Sequence, residues 1–140
     1  MALRAGQMRN AFMLVLLAQG IPCILAGDEF GNTQKGNNNV YCQDNPVGWL
    51  DWSRLEKNRA LHEFVKEMIA LRRSHPALRQ KEELRGMDQI SCGVPDVSYH
   101  GEYAWQTPSE ISSRQLGVYY CGIAAKDTDC FVAYNMRWVE

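Results

Sequence analysis

The chain has 140 residues, of which 46% are hydrophobic and 22% charged, and its formal net charge at pH 7 is -1. This length and composition suffice for the core of an ordinary domain. The chain has no excess of basic residues, so we expect no nucleic-acid partner. The apolar run Ala11–Ala18 imitates the core of a secretory signal, but no small-residue cleavage site follows it cleanly. It is also shorter than the about 20 residues that span a bilayer, so we expect no membrane partner.

The chain starts with a helix followed by an apolar strand. Residues 5–19 predict a helix that is apolar over most of its circumference and ends at Gly20, and such helices are normally sandwiched between other layers. The run Ile21–Ala26 is continuously apolar, which predicts a strand buried on both faces in a parallel sheet. Pro22 suits the start of that strand. A long loop rich in Gly, Asn and Asp follows, over residues 27–52.

A second helix is predicted from a capping box and a helical apolar face. In the sequence Ser53-Arg54-Leu55-Glu56, the Ser53 and Glu56 side chains are expected to satisfy each other's backbone donors. Arg72 and Arg73 suit the negative carboxyl end of this helix, and Pro76 ends it. The apolar face comprises Leu61, Phe64, Val65, Met68 and Leu71.

The remainder of the chain, after residue 83, has the character of strands and turns. The segments Leu116–Cys121 and Cys130–Met136 are rich in β-branched and aromatic residues, and the polar turn Ala125–Asp129 lies between them. We therefore expect them to pair as a hairpin. An edge of this sheet should remain unpaired.

Metal, phosphate and disulfide chemistry find little support in the sequence. No Cys-x-x-Cys pair, Gly-rich phosphate loop or nucleophile elbow is present, so we expect no metal and no cofactor. Free thiols in a reducing cytoplasm are the simpler interpretation, although a disulfide stays open. The histidines His62, His75 and His100 show no metal-ligand spacing, and we expect structural roles for His75 and His100. The cysteines are Cys23, Cys42, Cys92, Cys121 and Cys130.

Two adjacent carboxylates, Asp28 and Glu29, follow the predicted strand, where α/β barrels place their working residues. A glycosidase acid and nucleophile must flank one bond, about 5–5.5 Å apart for retention. Neighbours on a strand point to opposite faces, so this pair suits that role badly. We expect one carboxylate to face the pocket and the other to brace the loop. Salt-bridge or turn roles for both are the open alternative.

The long loop offers the groups that sugar hydroxyls and rings need. Amides and carboxylates supply paired donors and acceptors, although Asn and Asp also populate turns for their own backbone hydrogen bonds. Trp49, and more weakly Trp52, could stack on a sugar ring, with a buried core role as the alternative. On the residues alone, the turn role of these amides is the more common one.

The same segments carry a family resemblance. The run Gly20–Gly31 resembles the eighth barrel strand of glycoside hydrolase family 13, the α-amylase family. Gly36–Asn45 and Trp49–Trp52 resemble its glycogen-debranching, isoamylase and pullulanase-type branch, which cleaves α-1,6 glucosidic links. Ala70–Leu78 and Asp96–Gly101 fit the same branch. The resemblance implies an α-glucan substrate and a retaining mechanism through a covalent glycosyl-enzyme. With the resemblance, we favour a substrate-facing loop built on Asx turns. The substrate-facing residues are then expected to be Asp28, Glu29, Asn38, Asn39, Tyr41, Asp44, Asn45 and Trp49.

The resemblance also implies a carboxy-terminal fragment of α+β class. Residues 1–80 would form the end of a (β/α)8 barrel, with its last strand and two outer helices. Residues 81–140 would start an antiparallel β-sandwich domain. The family's catalytic carboxylates come from earlier strands that nothing here matches, so we expect this chain alone to be inactive. The alternatives are a non-catalytic glucan- or protein-binding module and a structural remnant. The exposed apolar faces predict self-association.

Overall fold

The structure is a computed structural model that describes residues 2–110 and 113–137. Two long helices pack together beside a three-stranded antiparallel sheet, which gives an α+β architecture. The helices are α1 (Ala2–Leu17), the short α2 (Ser53–Lys57) and α3 (Arg59–Ser74). The strands are β1 (Val97–His100), β2 (Gln115–Tyr120) and β3 (Cys130–Asn135).

The first helix packs against α3 through the apolar side chains Phe12, Leu16 and Val65. The second apolar cluster joins the helices to the sheet, because Leu17 of α1 and Leu78 pack among the inward-facing residues of the strands. Polar side chains add to this docking. The Asn10 Nδ2 group of α1, for example, donates to the Asn135 carbonyl of β3 at 2.8 Å.

The predicted second helix is interrupted at Asn58, which separates α2 from α3. The predicted capping box is wrong. Trp52 holds the cap position without a side-chain cap, and the Ser53 hydroxyl donates to the Asp51 carboxylate instead. Asp51 also accepts the Ser53 N–H, so a carboxylate two residues upstream takes the place of the serine oxygen. Glu56 pairs with Arg59.

The predicted strand Ile21–Ala26 is not a strand in the part of the chain that the structure describes. Residues 21–25 are irregular and exposed, with Ile21 97% exposed. A strand needs a neighbour for its backbone N–H and C=O groups, and the described strands pair only with one another. The prediction of a buried strand is therefore wrong for the described residues, because none of them pairs with this run.

The hairpin prediction is confirmed. β2 pairs antiparallel with β3 in the register Val118 to Val132, and β1 pairs antiparallel with the other side of β2. Alternating residues of β2 and β3 enter the core, including Tyr120 and Tyr134. The strand order leaves β1 and β3 as the outer strands of this sheet. No helix among the described residues has both the length and the apolar character to cross a membrane.

Candidate functional site

The Asp28–Glu29 pair lies in a 3-10 turn rather than at the end of a strand. Gly27 and Gly31 flank the turn Asp28–Phe30, and both have a left-handed backbone, with φ of 97° and 70°. This geometry favours glycine, because a Cβ atom in that region meets its own backbone. The Glu29 carboxylate folds back and accepts the Gly27 N–H at 2.8 Å. Glu29 thus braces the loop, as one of the two carboxylates was expected to do.

Asp28 has different surroundings from Glu29. It lines a cavity of about 330 Å³ between α1 and residues 23–33, whose other walls include Phe12, Val15 and Leu25. Partial burial raises the pKa of the Asp28 carboxyl, and the nearby Glu29 carboxylate raises it further. A carboxyl group beside an apolar cavity can exchange a proton or accept a hydrogen bond from a ligand hydroxyl.

Three side chains that the sequence analysis did not single out fix this turn to the second helical segment. The Asn58 Nδ2 group donates to the Phe30 carbonyl at 2.9 Å, and the Arg54 guanidinium donates to the Gly31 carbonyl at 3.0 Å. The Asn32 side chain accepts the Asp51 N–H at 3.0 Å. Asn58 lies at the break between α2 and α3, so the residue that separates the two helices also holds the turn. In the sequence, the only indication of these roles is that the three residues are polar.

The amide-rich loop is built on short-range turns. The Asn39 side chain accepts the Tyr41 N–H at 3.0 Å, and the Asn45 side chain accepts the Val47 N–H at 2.9 Å. The Gln43 amide donates to the Asn39 carbonyl. The Asn39 and Asn45 contacts are Asx turns of the expected kind. Asn38 is exposed on the same loop.

The aromatic residues of this loop are exposed rather than buried. Trp49 is 54% exposed, and its indole N–H donates to the Asp44 carboxylate at 2.8 Å. Tyr41 is 83% exposed. Trp52 stacks on the buried Phe30 ring with 5.3 Å between the ring centroids. Trp49 is therefore not a core residue of this structure. One side of the Trp52 ring packs on the Asp28–Phe30 turn.

The structure thus brings together some of the predicted residues. Asp44 positions Trp49, and Asn39 positions the backbone at Tyr41. The two halves of the region also meet. A Cβ built on Gly27 would lie 2.8 Å from the Leu50 side chain, so the loop end packs closely on the Asp28–Glu29 turn. The site residues thus fall into two local groups: Glu29 folds onto Gly27, and the Asp44 carboxylate holds the indole of the exposed Trp49.

The histidines serve structural contacts. The His100 Nδ1 atom accepts the Trp105 N–H at 2.8 Å, which leaves the ring proton on Nε2 to face the Ser98 hydroxyl. His75 lies 3.2 Å from an Asp127 oxygen. Cys130 joins this pair, and the three possible ligand atoms lie within 4.8 Å of one another. The Asp127 carboxylate already accepts the backbone N–H groups of residues 77 and 128, so a cation would have to compete with protein donors.

Comparison with known proteins finds relatives named glycogen debranching enzyme or glycogen operon protein. No protein-family model matches the chain. Over 106 residues it is 52% identical to the glycogen debranching enzyme of Dickeya chrysanthemi, in a match that covers 73% of this chain and 16% of that enzyme. Over 111 residues it is 44% identical to the glycogen operon protein GlgX homolog of Mycobacterium tuberculosis H37Rv, covering 78% of this chain and 14% of the relative.

Solved pullulanase structures share the fold. A Paenibacillus barengoltzii pullulanase in complex with maltohexaose and α-cyclodextrin superposes with a TM-score of 0.73 at 26% identity, covering 96% of this chain and 19% of that one. The Bacillus acidopullulyticus pullulanase shows the same fold with a TM-score of 0.73. The relatives support a relationship to enzymes of the glycogen-debranching and pullulanase-type branch of glycoside hydrolase family 13, which this chain resembles. The chain spans less than one fifth of each of these relatives.

Proposed function

We propose that this chain supplies the substrate loop and rim of a retaining α-glucan hydrolase that cleaves α-1,6 branch links in glycogen- or pullulan-like polysaccharides. The observation that carries the proposal is the 52% identity to a glycogen debranching enzyme over most of the chain. The chemistry of the loop agrees with this proposal. The Trp49 ring is exposed, and its indole N–H is held by the Asp44 carboxylate. The amides of the same loop can donate hydrogen bonds to sugar hydroxyls and accept them.

The proposed architecture follows the family. Residues 1–80 would contribute the last barrel strand and two outer helices, and residues 81–140 would begin the β domain; of these, 111–112 and 138–140 lie outside the described residues. The irregular run Ile21–Ala26 would become a strand beside neighbouring barrel strands. The bond-breaking carboxylates would come from elsewhere in such an enzyme, so this chain alone would not hydrolyse glucan. We place the enzyme in the cytoplasm.

A chimera tests the proposal directly. Replacing the matched residues of the Dickeya chrysanthemi enzyme with this chain's residues should retain release of reducing ends from a branched glucan. The same chimera with Trp49→Ala should show a weaker apparent affinity for glucan. Trp105→Ala, which removes another exposed indole on the loop after β1, is the matched control. A correctly folded chimera without debranching activity would contradict the proposal.

The second candidate is a non-catalytic module that binds glucan through the same loop. The exposed Trp49–Asp44 pair favours it as much as it favours the hydrolase, since binding needs no catalytic carboxylate. The two differ in one respect. A binding module would not supply the missing part of the hydrolase, so a folded chimera would lose debranching activity, whereas a hydrolase segment would retain it. Binding of a branched maltooligosaccharide by the 140-residue chain alone is compatible with both candidates.

A further inference from the structure

The loop between Leu84 and β1 brings together two cysteines that are far apart in sequence. The Cys92 and Cys121 sulfur atoms lie 3.9 Å apart, although 29 positions separate the residues. A disulfide needs about 2 Å between its sulfur atoms. The pair therefore needs a closing movement of about 2 Å, which is small for a loop residue. Both cysteines are free thiols in the structure.

The backbone on both sides is already positioned for this pairing. The Cys121 N–H donates to the Asp96 carbonyl at 2.9 Å, which joins the end of β2 to the end of the loop. The Asp88 carboxylate accepts the N–H groups of Cys92 and Gly93 at 2.9 and 2.7 Å. These bonds hold the Cys92 segment in a tight turn over β2. Hydrogen bonds of the backbone, and not contacts between the thiols, thus hold the two sulfur atoms close together.

The two thiols differ in accessibility. Cys121 is buried, with 3% of its surface exposed, whereas Cys92 is half-buried. Both line a cavity of about 220 Å³ whose mouth includes polar side chains of residues 80–89. A small dissolved oxidant can therefore reach Cys92 first, with Cys121 directly behind it.

We propose that Cys92 and Cys121 form an oxidisable pair that closes an intrachain disulfide between the loop and β2. With oxidised glutathione, the Cys92 thiolate attacks one sulfur of the glutathione disulfide, and one glutathione thiol leaves. The Cys121 sulfur then attacks Cys92 in this mixed disulfide, and the second glutathione leaves. The two cysteines lose two electrons, glutathione disulfide gains them, and the two thiol protons end on the two released glutathiones.

Tryptic mapping tests the proposal on the whole 140-residue chain, because the five cysteines fall in five different tryptic peptides. After incubation with oxidised glutathione and trapping of free thiols, we expect the peptide 86–114 linked to the peptide 115–126. The intact chain should lose the mass of two hydrogen atoms, and reduction should restore it. Links that join Cys23, Cys42 or Cys130, with peptides 86–114 and 115–126 unlinked, would overturn the proposal.

Single variants separate the two roles. Cys121→Ser should accumulate the mixed disulfide between Cys92 and glutathione, since the second attack cannot occur. Cys92→Ser should react more slowly, because the remaining Cys121 thiol is buried. Cys42→Ser, which removes an exposed thiol, should leave the 86–114 to 115–126 link unchanged. Equal glutathione capture by both single variants would contradict the assignment of Cys92 as the attacking thiol.

Discussion

The Arg72 guanidinium of α3 donates a hydrogen bond to the Leu16 carbonyl in the last turn of α1 at 2.8 Å. The same group also donates to the carbonyls of Ala18 and Leu78 at 2.6 and 2.9 Å, and to that of Gly20. Helix carboxyl ends leave carbonyls without intrahelical partners. Arg72 therefore caps the end of α1 from a neighbouring helix.

This cap predicts a large difference between two adjacent arginines. Arg72 is 8% exposed, whereas Arg73 is exposed. Arg72→Ala removes the donor from two buried carbonyls, those of Leu16 and Leu78, and should lower the free energy of unfolding by about 1–3 kcal/mol. Arg73→Ala, the matched control, should stay within about 0.5 kcal/mol of the original chain. Urea unfolding followed by circular dichroism measures both, and equal effects would refute the cap.

The sequence predicted those parts of the fold that depend on local pattern. The helix predicted over residues 5–19 from its apolar run corresponds to α1, and the apolar periodicity after Ser53 corresponds to α3. The hairpin of β2 and β3 follows β-branched and aromatic content. The role of Arg72 escaped this reasoning, because three of its four carbonyl partners lie more than 50 residues away. Its position at the carboxyl end of α3 predicted that its charge would stabilise α3. In the structure, the guanidinium instead donates hydrogen bonds to carbonyls at the end of α1.

The candidate site was predictable in composition but not in geometry. Asx turns at Asn39 and Asn45 are local, and the sequence indicated them. The turn at Asp28–Glu29 depends on Asn58, about 30 residues further along, which no local pattern reveals. The capping box failed for a similar reason, since Asp51 outcompetes the predicted partner of Ser53.

The Gly27 position should tolerate a side chain poorly. A Cβ there would lie 2.7 Å from the Asn32 Cβ and 2.8 Å from Leu50, in addition to the left-handed φ of 97°. Gly27→Ala should therefore destabilise the chain more than Gly36→Ala, whose φ of 86° is also left-handed but whose Cβ meets no atom within 4 Å. Strain from φ alone costs about 1 kcal/mol. Thermal unfolding measures the stability of both variants. Equal losses of stability would mean that Asn32 and Leu50 move aside at no cost to admit the new Cβ atom at Gly27.

Acid stability should depend in part on Asp127. The Ala77 N–H lowers the pKa of the Asp127 carboxyl, and the Thr128 N–H and the His75 ring lower it further. A carboxylate with a lowered pKa stabilises the fold above its ordinary value of 3.8, and this stabilisation is lost as pH falls towards the pKa of the folded state. Asp127→Asn should thus be less stable than the original chain near neutral pH, and the two should converge in acid.

Urea unfolding at several pH values between about 3 and 7 measures this convergence. Glu67→Gln removes an exposed carboxylate from α3 and provides the control. A constant difference between Asp127→Asn and the original chain across that range would mean that the asparagine changes packing rather than protonation.

The exposed apolar run should make the chain self-associate. Ile21 is 97% exposed, and Val15 and Leu25, which line the cavity between α1 and residues 23–33, are also exposed. Burying such a patch between copies removes apolar surface from water. Size-exclusion chromatography with light scattering should show dimers or larger assemblies whose mass increases with concentration. Ile21→Ser should shift the population towards monomer, whereas Ile123→Ser, at an exposed site after β2, should not.

Sugar binding should centre on the Asp44–Trp49 pair. The Asp44 carboxylate holds the indole N–H at 2.8 Å, so the Trp49 ring is oriented before any ligand arrives. Titration of the chain with a branched maltooligosaccharide should shift the Trp49 indole signal and the amide signals of residues 37–45 saturably in NMR spectra. Trp49→Ala should weaken binding by at least about tenfold, equivalent to about 1.4 kcal/mol. Asp44→Ala should weaken it less, because it releases the ring without removing it.

Trp105→Ala is the matched control, since Trp105 is similarly exposed but lies on the loop after β1. It should leave the titration unchanged. Shifts at Trp105 in place of Trp49 would relocate binding to the β region. An absence of shifts up to millimolar sugar would mean that recognition requires barrel residues outside this chain, because the oriented indole alone then contributes too little contact area to hold a glucan.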